Sequence, residues 1–280
     1  MKYQRFYYLL FILGFVLFFH LSLYSAPDTG SDKIKNEIDS ILKRSSVVQN
    51  TWSILIQNKS NTKTYYKKNP DKPMKPASNI KLFTTGCAYN KLGWNYKWNG
   101  NLIKDIIRPI NKYSINSQAD ALLRYIGKKF HKSQTLGAGA KYILQWCGNK
   151  GIDMTGARIL DGSGLSHNNR LTASQIISLL RYMTAHHQKW DDTLAIGGVD
   201  GTVARRFRNT PAKGKVFAKT GTLTGVISLS GIIYPDSKDP VFFSFLANNV
   251  KNRVSTRKAI DDSVVLIAKI SKPKKNSTPK

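Results

Sequence analysis

Pro76-Ala-Ser-Asn-Ile-Lys-Leu-Phe-Thr-Thr85 is the segment from which the rest of this 280-residue chain can be ordered. Pro76 and Ala77 end an extended stretch, and Ile80, Leu82, Phe83, Cys87 and Ala88 begin an apolar helix at once. Ser78 therefore falls at a helix N-terminus, where free backbone N–H groups and the helix dipole favour developing negative charge. Lys81, three residues on, shares its face and comes within reach of the hydroxyl. A buried lysine beside a second cation can lose its proton and act as a base on a serine. Serine and lysine at this spacing occur six times, from Ser40, Ser60, Ser78, Ser255, Ser271 and Ser277, because the chain is rich in both. The other five read as a polar serine with a surface lysine. Only at Ser78 does an extended segment meet an apolar helix.

Upstream, Ile34, Ile38, Ile41 and Leu42 follow the period of an amphipathic helix. Trp52-Ser-Ile-Leu-Ile56 and Thr64-Tyr-Tyr66 read as strands joined by the polar turn 58–61. Downstream, one apolar stripe runs through Ala119, Leu122, Leu123, Ile126 and Phe130, and another through Ala140, Ile143, Leu144 and Cys147. Thr172 and Gln175 have capping-box spacing, with Leu171 and Ile176 placed as a hydrophobic staple, so a helix begins there. Strands follow at 215–219, 225–234 and 241–247, then a helix over 254–270. Strands at both ends with helices between them predict an α/β domain of the α+β kind. Residues 26–77 and 191–270 build an antiparallel sheet with the terminal helices on one face, and 78–190 form an inserted helical subdomain. The lysine-rich segment 271–280 reads as a disordered basic tail.

Two more short patterns carry chemistry. Ser114-Ile-Asn116 stands just before the first helical stripe, but Ser166-His-Asn168 has the same form, and spacing alone does not choose between them. Lys219-Thr-Gly221 occurs once, at the end of a strand that opens a hairpin. A cation and a hydroxyl on a strand edge can hold a carboxylate, and Gly221 would let a substrate backbone approach closely.

In this order the three patterns match penicillin-recognising serine enzymes. With Ser114–Arg124, Asp161-Gly-Ser-Gly-Leu-Ser166, Gly198-Val-Asp-Gly-Thr202 and Ala218–Gly225, the chain resembles the D-alanyl-D-alanine carboxypeptidase/endopeptidase family, the class C low-molecular-mass penicillin-binding proteins, over about residues 47–270. The resemblance implies a β-lactamase/transpeptidase-like fold. Because Ser166 belongs to the Asp161–Ser166 segment, it also makes Ser114 and Asn116 the second motif. It implies that Ser78 becomes the acyl-enzyme and Lys81 takes its proton. Ser114 relays a proton to the leaving amine, and Asn116 positions Lys81 and the substrate amide. Lys219 and Thr220 hold the terminal carboxylate, while Lys219 also helps keep Lys81 neutral. The backbone N–H groups of Ser78 and Thr222 form the oxyanion hole. No histidine, metal or cofactor is required.

The chain departs from the family pattern in two places. Only residues 82–113 separate the first two motifs, where familiar members carry a large insertion, so the part of the pocket contributed by that insertion is absent and recognition of the peptide side chain is left open. His167 stands where members often have arginine, as an exposed loop residue or a substrate contact. Asp161-Gly-Ser-Gly164 reads equally as a tight turn or as lining of the cleft.

Lys and Arg number 44 against 16 Asp and Glu, a net charge of +28, which favours anionic surroundings. The charge is spread evenly and not interleaved with aromatics, so nucleic acid is not an expected partner. Anionic envelope polymers or a membrane surface fit better. Lys2 and Arg5, the apolar run 6–23, and Ser25-Ala26 have the layout of a secretory signal, so the domain is expected to be exported, to the periplasm or cell envelope. The run is also just long enough to stay as an N-terminal anchor, and residues 1–25 read as one or the other. The two cysteines, Cys87 and Cys147, read as buried thiols, and His186-His187 as the end of a helix. Peptidoglycan peptides are the expected substrates and β-lactams the expected inhibitors. Two rival readings use the same scaffold: a β-lactamase, and a catalytically silent wall-binding protein that kept the pocket.

Overall fold

The computed structural model describes residues 29–45, 47, 51–60, 63–236 and 239–270. The segment 1–25 and the tail 271–280 lie outside them. Helix α1 (Thr29–Lys43) precedes the hairpin of β1 (Trp52–Asn58) and β2 (Thr64–Lys68). A 3-10 turn, Ala77–Asn79, leads into α2 (Ile80–Leu92). A small ribbon, β3 (Lys97–Trp98) with β4 (Asn101–Leu102), comes next. Helices α3 (Ile103–Lys112), α4 (Asn116–His131) and α5 (Leu136–Gly148) follow. After an irregular stretch come α6 (Ala173–His186), α7 (Gln188–Asp191) and β5 (Ala195–Ile196). The chain then returns to the sheet through β6 (Val216–Leu223), β7 (Val226–Ile233) and β8 (Val241–Asn248), and closes with α8 (Arg253–Ile270).

The sheet has the order β2-β1-β8-β7-β6-β5, antiparallel throughout. Side chains alternate between its faces with period two. Trp52, Ile54 and Ile56 of β1, with Val241, Phe243, Phe245 and Ala247 of β8, face α1 and α8. Leu55, Ile232, Phe242 and Leu246 point the other way, into a core shared with α2 to α6. Both faces are therefore covered, and every residue of β7 is buried.

Three sequence expectations are corrected. The strand holding Lys219 runs on to Leu223, so Lys219-Thr-Gly221 lies inside it and not at its end. The edge strand β5 and the ribbon 97–102 were not anticipated; both are two-residue pairings too short to show a period. Ser78 sits in the 3-10 turn, and the α-helix begins two residues later. The capping box at Thr172 and Gln175 is present as read, and Cys87 and Cys147 are free buried thiols.

Candidate active site

β5 pairs with Phe217 and Ala218, so among the described residues β6 from Lys219 onward has no strand neighbour on that side. The 3-10 turn carrying Ser78 packs against this open stretch. Ser228 Oγ donates to the Pro76 carbonyl at 2.8 Å and accepts from Asn79 Nδ2, tying the turn to β7. Gly221 makes the approach feasible: a Cβ there would stand 2.9 Å from Pro76 O and 2.2 Å from Ser228 Oγ. The close approach expected of a substrate backbone at Gly221 is thus made by the protein's own turn. Ala77 has a positive φ of 48°, a conformation costing about 1–3 kcal/mol that the surrounding contacts must offset.

Alternation sends Phe217 and Lys219 to the side of α2 to α6, and Ala218, Thr220 and Thr222 to the face under α1 and α8. Lys219 is fully buried; its Nζ donates to Ser114 Oγ at 2.8 Å and to the Thr220 carbonyl at 3.1 Å. Lys81, also fully buried, has three partners: Ser78 Oγ at 2.8 Å, Asn116 Oδ1 at 2.7 Å and the Ser163 carbonyl. Those three acceptors match the three N–H donors of an ammonium, and loss of one proton would leave a lone pair facing Ser78 Oγ. Burial lowers the Lys81 pKa to about 8, against the opposing pull of Asp120 and Asp161. Burial, and then the charge of Lys81, hold Lys219 well below the ordinary lysine value. The structure thus brings the five residues together as two hydrogen-bonded groups, Lys81 with Ser78 and Asn116 and Lys219 with Ser114, near enough for the charge of Lys81 to act on Lys219, beside Thr220, Gly221 and Thr222.

The Ser163 carbonyl has no signature in sequence. It also accepts from Ser78 Oγ at 3.3 Å. Its loop is held by Asp161, which accepts from Gly164 N at 2.7 Å, Ser166 N at 2.6 Å and Asn169 Nδ2 at 2.9 Å. Asp120 of α4 accepts from Gly162 N at 2.8 Å. Gly164, at φ 86°, lies so close to the turn that a Cβ would stand 2.0 Å from Ala77 O. The segment Asp161–Gly164 is therefore both the tight turn and part of the cluster's wall. His167 is exposed on the same loop, its carbonyl taken by Arg170 at 2.7 Å.

Ser114 has a positive φ of 63°. Lys112, two residues before it, ion-pairs with Asp200 and donates to the Leu194 carbonyl at 3.0 Å, while Asp200 accepts from Ile196 N at 2.7 Å. This clamp fastens the Ser114 loop to β5, and Thr202 Oγ1 then meets Thr220 Oγ1 at 2.9 Å. Neither Lys112 nor this use of Asp200 was picked out from the sequence. Among the described residues no three metal-ligating side chains gather, and no helix is long and apolar enough to cross a membrane.

Solved structures with this fold include penicillin binding protein 4 (dacB) from Haemophilus influenzae, complexed with a β-lactam. Its TM-score is 0.73 at 15% identity, covering 85% of this chain and 100% of that one. The TLA-1 extended spectrum β-lactamase aligns with a TM-score of 0.65 at 15% identity, covering 86% and 99%. The fold is β-lactamase/transpeptidase-like. In sequence, the chain is 35% identical over 153 residues to the D-alanyl-D-alanine carboxypeptidase of an Actinomadura species, covering 52% of this chain and 28% of that protein. It is 33% identical over 198 residues to penicillin-sensitive carboxypeptidase A of Dictyostelium discoideum, covering 64% and 37%. The matched part is about a third of the length of these curated relatives. Residues 34–105 and 101–270 match the D-Ala-D-Ala carboxypeptidase 3 (S13) family. The chain belongs to that family.

Proposed function

We propose that the chain is an exported serine D-Ala-D-Ala carboxypeptidase or endopeptidase that cleaves peptidoglycan peptides through an acyl-enzyme on Ser78 and is acylated by β-lactams. The observation that carries this reading is the three-partner arrangement of Lys81, whose Nζ lies 2.8 Å from Ser78 Oγ and so stands in place to take its proton once neutral. Lys81 takes the Ser78 proton as Oγ bonds to the carbonyl carbon of the scissile amide. The oxyanion develops beside the N-terminal end of α2 and the open stretch of β6, where the backbone N–H groups of Ser78 and Thr222 stabilise it. As the C–N bond breaks, Ser114 gives its proton to the leaving amine. The proton on Lys81 restores that hydroxyl through the cluster, with Lys219 bonded to Ser114 Oγ throughout. Water, deprotonated in the same way, attacks the ester and releases Ser78.

Export is supported by Lys2, Arg5 and the apolar run 6–23. The net charge of +28 suits an envelope rich in anionic polymers. Incubation with a peptide ending in D-Ala-D-Ala tests the activity: wild type releases D-alanine and Ser78→Ala releases none. Equal release from both would reject the reading.

A further inference from the structure

Two of the chain's five tryptophans, Trp94 and Trp98, lie in the short connection between the first two motifs. Trp52, Trp146 and Trp190 are at most 3% exposed, whereas Trp94 and Trp98 stay half-buried. An indole left partly in water forgoes burial that its large apolar surface favours. Trp98 has a face covered, stacked on Tyr125 with centroids 4.8 Å apart. Trp94 has no parallel ring beside it among the described residues. Gly93, at φ 87°, ends α2 and turns the chain back, and Tyr89 meets the Trp94 indole at 86° with centroids 5.2 Å apart. Here a cleft of about 550 Å³ opens between Tyr89, Trp94, Asn95, His186, His187 and Lys189, within the range of about 300–1,000 Å³ common for small-molecule sites. Its wall is already fixed. Trp146 Nε1, which can only donate, bonds Asn90 Oδ1 at 2.7 Å, so the Asn90 amide nitrogen faces His187 Nε2 at 2.7 Å and Tyr182 Oη at 3.1 Å. Tyr89 stands edge-on to the His187 ring so held, with centroids 5.2 Å apart and planes at 88°. Asn95, His186 and Lys189 are exposed around the cleft.

We propose that this cleft binds a sugar ring, a hexosamine unit of the glycan to which the substrate peptide is attached. Aromatic side chains take the apolar C–H face of a pyranose, and polar groups around them pair with its hydroxyl and acetamido groups. Trp94 and Tyr89 supply the flat surface; Asn95, His186 and Lys189 supply donors, with an acceptor at the Asn95 carbonyl. A purely apolar occupant would leave those three without partners of its own. Because His187 and Tyr89 are held before any ligand arrives, binding orders few side chains. The cleft also lies on the helix that carries the base. Lys81 and Tyr89 are eight residues apart in α2, about 12 Å along its axis, a span that an extended peptide of about four residues covers. The choice of glycan rests on the carboxypeptidase reading.

Binding and turnover separate the two claims. Calorimetric titration with a linear tetramer of N-acetylglucosamine should show saturable binding to wild type. Trp94→Ala should weaken that binding about tenfold, and Trp94→Phe should recover part of the loss. D-Alanine release is then measured from one D-Ala-D-Ala peptide in two forms, free and carried on a disaccharide. Trp94→Ala should raise KM for the carried form about tenfold with kcat unchanged, and leave both constants for the free form as in wild type. The cleft is rejected if the tetramer fails to bind wild type or binds Trp94→Ala equally well. It is also rejected if both peptide forms lose activity alike, which would mark Trp94 as only a support for α2. Failure of wild type to release D-alanine from either form would instead reject the proposed activity, and the titration would still decide the cleft.

Discussion

On the face of the sheet under α1 and α8, the buried residues include Trp52, Ile54, Ile56, Phe243 and Phe245, and the buried Thr256 and Ser263 bond carbonyls of their own helix segment. On the opposite face, Lys81, Lys219, Asn79, Asn111, Thr84 and Thr85 are fully buried beside an equally apolar core. The first face gains stability from area removed from water. The second gives some of that up, since desolvated amines and the positive φ at Ala77 and Ser114 are each unfavourable. One face holds the sheet together; the other spends part of that stability on a poised cluster.

The sharpest way to break this comparison is a cavity on the apolar face. Phe245→Ala should lower stability by about 3–5 kcal/mol in denaturant unfolding, yet leave the pH midpoint of Ser78 acylation where it was. A moved midpoint would mean that the two faces are not separable. On the other face, Gly164→Ala should push the Ala77–Ser78 turn aside. It should reduce acylation on the order of 100-fold with cooperative unfolding retained. Wild-type acylation kinetics would reveal an error in that account if Gly164→Ala matched them.

Smaller effects concern charge. Lys81 must be neutral to accept the serine proton, so acylation should rise with pH through about 8 and level off above it. Asp120→Asn removes the larger of the two carboxylate charges that oppose deprotonation of Lys81. The midpoint should then fall, by on the order of one unit or less, in a stopped-flow pH series; a rise would contradict the assigned sign. Burial, and then the charge of Lys81, lowers the pKa of Lys219 as well.

The smallest effect lies away from the cluster. Asp191 is buried with Tyr234 and Thr184 on one oxygen, and burial raises its pKa from 3.8 to about 6. Between these values the folded chain holds a proton that the unfolded chain has lost. Its contribution is therefore full below 3.8 and declines as pH rises toward 6. Asp191→Asn should remove that decline from a plot of unfolding free energy against pH. An unchanged slope would show that the carboxyl titrates normally.

How much of this could be read in the chain depends on what leaves a pattern. β1, β6, β7 and β8 were legible because alternating or continuous apolar runs mark strands packed on both sides. The helix after Thr172 was legible from its cap. β5 and the ribbon 97–102 are two residues per strand, shorter than any period. Ser78, Lys81, Ser114, Asn116 and Lys219 were found because their side chains carry the chemistry. The Ser163 carbonyl was not, since a backbone oxygen has no residue type; the only trace was Gly162 and Gly164 flanking it. Asp200 was quoted within a family-like segment, but its partner Lys112 is one lysine among many and became visible only once α3 and β5 met in space.

The account turns on one reactive hydroxyl and its amine. Mass spectrometry of the protein after exposure to penicillin, with peptide mapping, tests this directly. The account predicts a single penicilloyl adduct on the peptide containing Ser78, forming faster as pH rises through about 8 and absent in Ser78→Ala. An adduct on another residue, or none on wild-type protein, would contradict it.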